Sequence, residues 1–69
     1  MEEVMEKIRY KITINWYGEN HQYYRHASTQ MQALRFAIRK LAREVGYSTR
    51  YVRKYVMDDS CRRWETKVN

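Results

Sequence analysis

Between Ile8 and Trp16 every second residue is large and apolar: Ile8, Tyr10, Ile12, Ile14 and Trp16 alternate with Arg9, Lys11, Thr13 and Asn15. A period of two puts the first set on one face of an extended strand and the second on the other. Residues 8–17 are therefore predicted to form a strand that is apolar on one side, which commits the chain to a sheet with one covered face. Gly18, Glu19 and Asn20 supply a short polar turn, and "HQYYRHA" comes next as the returning strand of a β-hairpin.

The cover must come from the segments beyond the hairpin. Met31, Leu34, Ile38, Leu41 and Val45 recur at spacings of three and four, with Ala37 and Ala42 beside them. That is one face of a helix, with Ser28 or Thr29 as its N-cap and Gly46 as its stop. Ser48 offers a second cap for a segment running to about Met57. Read as a helix, this segment buries Tyr51, Val52, Tyr55 and Val56, because the two adjacent pairs repeat at spacing four; Tyr51, Tyr55 and Met57 also suit a strand. After the Asp58-Asp59-Ser60 turn, "CRRWETKV" alternates Arg62, Trp64, Thr66 and Val68 against Arg63, Glu65 and Lys67, the pattern of a last strand. The expected fold is α+β: a small antiparallel three-stranded sheet with two helices on one face, in the order strand-strand-helix-helix-strand. Residues 1–69 are read as one domain, with 1–6 as a loosely held acidic lead-in.

A chain of 69 residues buries only about 60% of the surface that its unfolded form exposes. With the single cysteine Cys61 and no Cys/His cluster at zinc spacing, it has neither an internal disulfide nor a structural metal to rely on. Apolar packing must hold it together, with homodimerisation as a further source of burial. Tyr10, Trp16, Tyr51, Tyr55 and Trp64 are expected in the core, and Tyr17, Tyr23 and Tyr24 at the surface. No apolar run approaches the ~18 residues of a membrane span. The opening "MEEVMEK" is acidic where a signal peptide would be basic, so a cytoplasmic protein with no membrane partner is expected.

The 14 Lys and Arg against 8 Asp and Glu give a net charge of +6, which favours polyanions or acidic protein surfaces as partners. Much of the excess sits in one segment. Between residues 38 and 57 lie Arg39, Lys40, Arg43, Arg50, Arg53 and Lys54, against Glu44 alone.

The same segment resembles the helix-turn-helix of bacterial and phage DNA-binding proteins. The resemblance spans residues 38–57 and rests on Leu41, Ala42, Val45, Gly46, Tyr47, Ser48, Val52 and Tyr55. Ala42 is small enough for a second helix to cross closely, Gly46 suits the left-handed turn, and Val45, Val52 and Tyr55 pack between the helices. The resemblance implies that the second helix enters the major groove, with Ser48, Thr49, Arg50, Arg53 and Lys54 as the contacting residues. Arg50 and Arg53 have the fork that fits guanine, and Lys54 supplies a point charge. Arg39, Lys40 and Arg43 would hold flanking phosphates. A helix-Gly-Ser-helix corner packed on a sheet carries the same pattern without a DNA role, and that reading stays open.

The other sheet face is a second candidate surface, with Arg9, Lys11, Thr13, Asn15 and Tyr17 joined by Arg63 and Lys67. No catalytic arrangement, metal site or cofactor motif is read. His21 and His26 are an odd number apart on a strand and so face opposite sides, Asp58 and Asp59 belong to a turn, and Cys61 has no activating His beside it in sequence. The expectation is a non-catalytic regulatory protein of bacterial or phage type that binds nucleic acid, DNA first. The alternative is a small inhibitor or adaptor that binds a host protein or nucleoprotein complex through a basic, tyrosine-rich surface.

Overall fold

A computed structural model describes residues 7–69; the expected acidic lead-in over 1–6 lies outside the described residues. Strands β1 (Ile8–Trp16) and β2 (Glu19–Ala27) form the hairpin, helices α1 (Gln30–Val45) and α2 (Thr49–Val56) come next, and β3 (Trp64–Val68) closes the sheet. Both neighbours of the central β1 run antiparallel to it, in the order β2-β1-β3. This is the α+β arrangement expected from the sequence.

The register decides which side chains meet the helices. Ile12 pairs with Tyr23 on one side and Thr66 on the other, and Ile14 pairs with His21 and Trp64. Tyr10, Ile12, Ile14 and Trp16 are buried as the alternation requires, whereas Ile8, at the far end of β1, is exposed. Tyr23 is buried, against the expectation that it would be exposed. The odd-numbered residues of β2 share the helix-facing side with the even-numbered residues of β1, so the pairing turns Tyr23 inward and Tyr24 outward.

The turn is tighter than the sequence suggested. Glu19 and Asn20 already belong to β2, and the loop is Tyr17-Gly18 alone, with positive φ at both residues (50° and 87°). Two central residues of positive φ mark the type I′ turn, whose twist matches that of the flanking strands. Asn15 braces it: its Oδ1 accepts from the Gly18 N–H at 3.0 Å, and its Nδ2 donates to Asn20 Oδ1 at 3.2 Å.

Thr29 rather than Ser28 caps α1, its hydroxyl accepting from the Gln32 N–H. The helix buries Ala33, Leu34, Ala37, Ile38, Leu41 and Ala42 against the sheet and α2. Met31 and Val45 stand at the margins of that face, Met31 exposed and Val45 half-buried. Gly46 ends α1 in the left-handed conformation, φ 78°, with its N–H donating back to the Ala42 carbonyl. Residues 49–56 are helical, with Ser48 Oγ accepting from the Tyr51 N–H. The helix buries Val52 and Val56, while Tyr55 is half-buried and Tyr51 exposed. One contiguous core joins β1, β2, α1 and α2, and Trp64 packs at its edge.

Candidate nucleic-acid interface

The helical layer presents a cationic surface. On α1, Arg35, Arg39 and Arg43 lie at spacing four and so fall along one stripe, with Lys40 beside them, all exposed. On α2, Val52 and Val56 fix the buried side, which turns Arg50 and Lys54 straight outward and sets Thr49 and Arg53 on the flank. Arg25 of β2 joins them, its guanidinium 4.3 Å above the Phe36 ring of α1.

These residues form one continuous surface, because three shallow depressions along the helices share members. The first is lined by Arg25, Phe36, Arg39, Lys40, Arg43 and Thr49, the second by Arg35, Ile38, Arg39, Thr49 and Arg53. A third is lined by Met31, Arg35, Arg50, Arg53, Lys54 and Met57. Among the described residues, none of these Arg and Lys side chains lies within ion-pair distance of a carboxylate. The single acid of the helical layer, Glu44, is drawn away: the Tyr23 hydroxyl donates to it at 2.6 Å, and His21 Nδ1 lies 3.9 Å from it. Burial, and then this hydrogen bond to the Glu44 carboxylate, push the Tyr23 phenol well above its ordinary value.

Of the residues tied to the helix-turn-helix resemblance, Thr49, Arg50, Arg53, Lys54, Arg39, Lys40 and Arg43 are all exposed on this surface. Ser48 is exposed too, but its hydroxyl oxygen is occupied as the cap of α2. Arg25 and Arg35 belong to the surface and were not among the expected residues. Arg35 continues the spacing of Arg39 and Arg43 and was legible from it; Arg25 is placed only by the strand register.

The outer sheet face is weaker than expected, because two of its residues are tied to α2. Tyr17, through its positive φ, folds over the hairpin tip toward α2: its ring stacks on Tyr55 at 4.5 Å and its hydroxyl meets that of Tyr51 at 2.8 Å. Arg63 swings to the carboxy end of α2, donating to the Tyr55 carbonyl at 2.8 Å and lying 4.0 Å over the Tyr55 ring, with Asp58 at 3.6 Å. Arg9, Lys11, Thr13, Asn15 and Lys67 remain, and Arg62 and Arg63 line a depression with Thr13, Asn15, Asn20 and Glu65. Of these, Lys67 lies 3.8 Å from Glu65 and Arg9 rests on Tyr24 at 5.0 Å.

The displaced Tyr17 belongs to an aromatic group that the alternation did not reveal. Trp16 is its buried hub, with Tyr17 at 4.8 Å, Tyr55 at 5.0 Å, Tyr47 at 5.8 Å and Tyr51 at 6.2 Å. Tyr47 and Tyr51 stack on one another at 5.0 Å. The hydrogen bond to Tyr51 is the main reason that the Tyr17 phenol is pushed up to about 12. Tyr51, expected in the core, therefore sits beside the basic surface. No protein-family profile, curated protein or solved structure matches this chain.

Proposed function

We propose that this chain is a non-catalytic nucleic-acid-binding protein that lays the α1–α2 surface against a phosphate backbone, with DNA as the first ligand. The observation that carries the reading is the continuous run of Arg25, Arg35, Arg39, Lys40, Arg43, Arg50, Arg53 and Lys54 with no carboxylate partner among the described residues. Like charges held together repel, and a polyanion relieves that repulsion while releasing its own counterions. The outer sheet face competes less well: Arg9, Lys11, Lys67 and Arg62 stand there beside Glu65, and Arg63 is tied to α2.

Within this reading α2 acts as the groove-facing helix of a helix-turn-helix. Support comes from the three-residue connection Gly46-Tyr47-Ser48, the buried Ala42 and Val52, and the outward Arg50 and Lys54. Arg50 and Arg53 read base edges, and Lys54 and the α1 cations hold phosphates. The test is binding of a labelled duplex over a salt series. Engagement of about six phosphates gives a slope of log affinity against log salt near −5, and a flat response overturns the reading.

A second reading has its own observation. The exposed rings of Tyr17, Tyr47 and Tyr51 beside arginines also suit an adaptor or inhibitor that docks on a host protein or nucleoprotein complex. Such an interface loses far less affinity to salt, and Tyr47→Ala would weaken it more than Arg39→Ala.

A further inference from the structure

Resting on the phosphate-binding reading above, we infer that Tyr17, Tyr47 and Tyr51 form a stacking platform for unpaired bases, so that the preferred ligand is nucleic acid with a single-stranded segment beside the part held by α2.

Three elements converge to build the platform: the hairpin tip, the α1–α2 connection and the first turn of α2. The three residues are 61%, 54% and 45% exposed, so none of them serves mainly as core, and they are contiguous rather than scattered. The chain adopts a costly backbone to place the first of them. A bulky residue at φ 50° is an outlier, and the type I′ turn at that position is met without strain by Asn or Gly. The turn therefore does not require the ring; the surface does.

The platform is ordered before any ligand arrives. Tyr17 is stacked on Tyr55, Tyr47 on Tyr51, and all contact the buried Trp16, so binding freezes few further rotamers. The Tyr17 and Tyr51 hydroxyls are joined to each other, which fixes the two rings while one O–H of the pair stays free to donate. Such a surface accepts any base by its π-face, so stacking rather than edge recognition dominates.

Charge selects the occupant. Arg50 precedes Tyr51, and Lys54 lies one turn on, so a strand whose bases rest on the rings has its phosphates beside two cations with no carboxylate partner among the described residues. The acid of the hairpin tip, Glu19, lies 3.2 Å from His21 Nε2 with its side chain exposed, and the two cations outnumber it. A polyanion built of planar rings matches both features together, whereas an apolar protein partner matches the rings and leaves the cations facing it unpaired.

The experiment compares three labelled probes by fluorescence anisotropy: a blunt duplex, a single strand of the same length, and that duplex with a single-stranded tail. Tyr17→Asn, which suits the turn, and Tyr47→Leu, which keeps an apolar side chain, are tested beside an Arg39→Ala/Arg53→Ala double variant, all checked for a native melting transition. The tyrosine variants are expected to bind the single strand and the tailed duplex about 5- to 100-fold more weakly and the blunt duplex as the parent does. The arginine variant should weaken all three probes. Native-melting tyrosine variants that bind single strands like the parent overturn the platform while the arginine result still supports the phosphate surface. An arginine variant that binds every probe like the parent overturns the phosphate surface itself. If the tyrosine variants keep all nucleic-acid binding and instead dissociate a purified protein complex, the patch is a protein interface and the inference falls.

Discussion

Tyr17 shows how one residue's backbone redirects its chemistry. Strand alternation would send its side chain to the outer sheet face, but a positive φ carries it over the tip to α2. Tyr17→Asn removes a backbone cost of roughly 1–2 kcal/mol and forfeits ring contacts of about 0.5–1.5 kcal/mol. Its melting temperature is therefore expected to stay close to the parent's, measurable by circular dichroism. The phenol itself offers another check. Because the folded state raises the Tyr17 pKa to about 12, its contribution is intact below the ordinary value near 10 and is lost as pH climbs through 12. Tyr51→Phe removes the main cause, so phenolate absorbance should show one group returning toward 10. None of this was legible in the sequence, because a two-residue Tyr-Gly turn and a longer Gly-Glu-Asn turn differ only in pairing register.

The elements themselves were readable where periodicity and caps agree. β1 declares itself by alternation, α1 by its spacing between Thr29 and Gly46, and α2 by the repeated pairs Tyr51-Val52 and Tyr55-Val56. The sides of α2 were only partly readable: Val52 and Val56 are fully buried, Tyr55 packs half-buried against the core, and Tyr51 lies exposed. Arg63 was misplaced for a related reason: its carbonyl still accepts from the Asn15 N–H just before β3, but its long side chain reaches the Tyr55 carbonyl, which alternation does not describe. The arginine instead joins α2 to the strand after it, so Arg63→Ala should cost about 1–2 kcal/mol and is a poor probe of binding. Within α1, Leu34 and Leu41 are fully buried, and replacing either by Ala should cost about 2–5 kcal/mol in a denaturant titration. Gly46→Ala meets no atom within 4 Å, so its cost of roughly 1–2 kcal/mol comes from φ 78° alone. Its measurement isolates the α1–α2 corner from the packing around it.

For the whole molecule, the cationic helical layer implies opposite responses of stability and binding to salt. Added salt screens the repulsion among Arg35, Arg39, Arg43, Arg50 and Arg53, so the melting temperature should rise with ionic strength while affinity for a polyanion falls. A protein stabilised chiefly by ion pairs would lose melting temperature under the same titration, so a calorimetric salt series separates the two cases. The expected net charge was visible in the composition, but its collection on one side required the fold, since Arg25 and Arg35 are drawn in from outside the basic segment.

Glu44, held against β2 by Tyr23 and His21, gives that one-sidedness a kinetic meaning. With the sole acid of the helical layer turned to the side, the described residues carry their excess of positive charge on the α1–α2 side, which amounts to an electric dipole through those helices. In the field of a polyanion such a dipole experiences a torque while still diffusing, so collisions are oriented before contact and fewer encounters are wasted. Glu44→Gln, which enlarges the dipole, should therefore quicken association at low salt and leave the dissociation rate nearly unchanged.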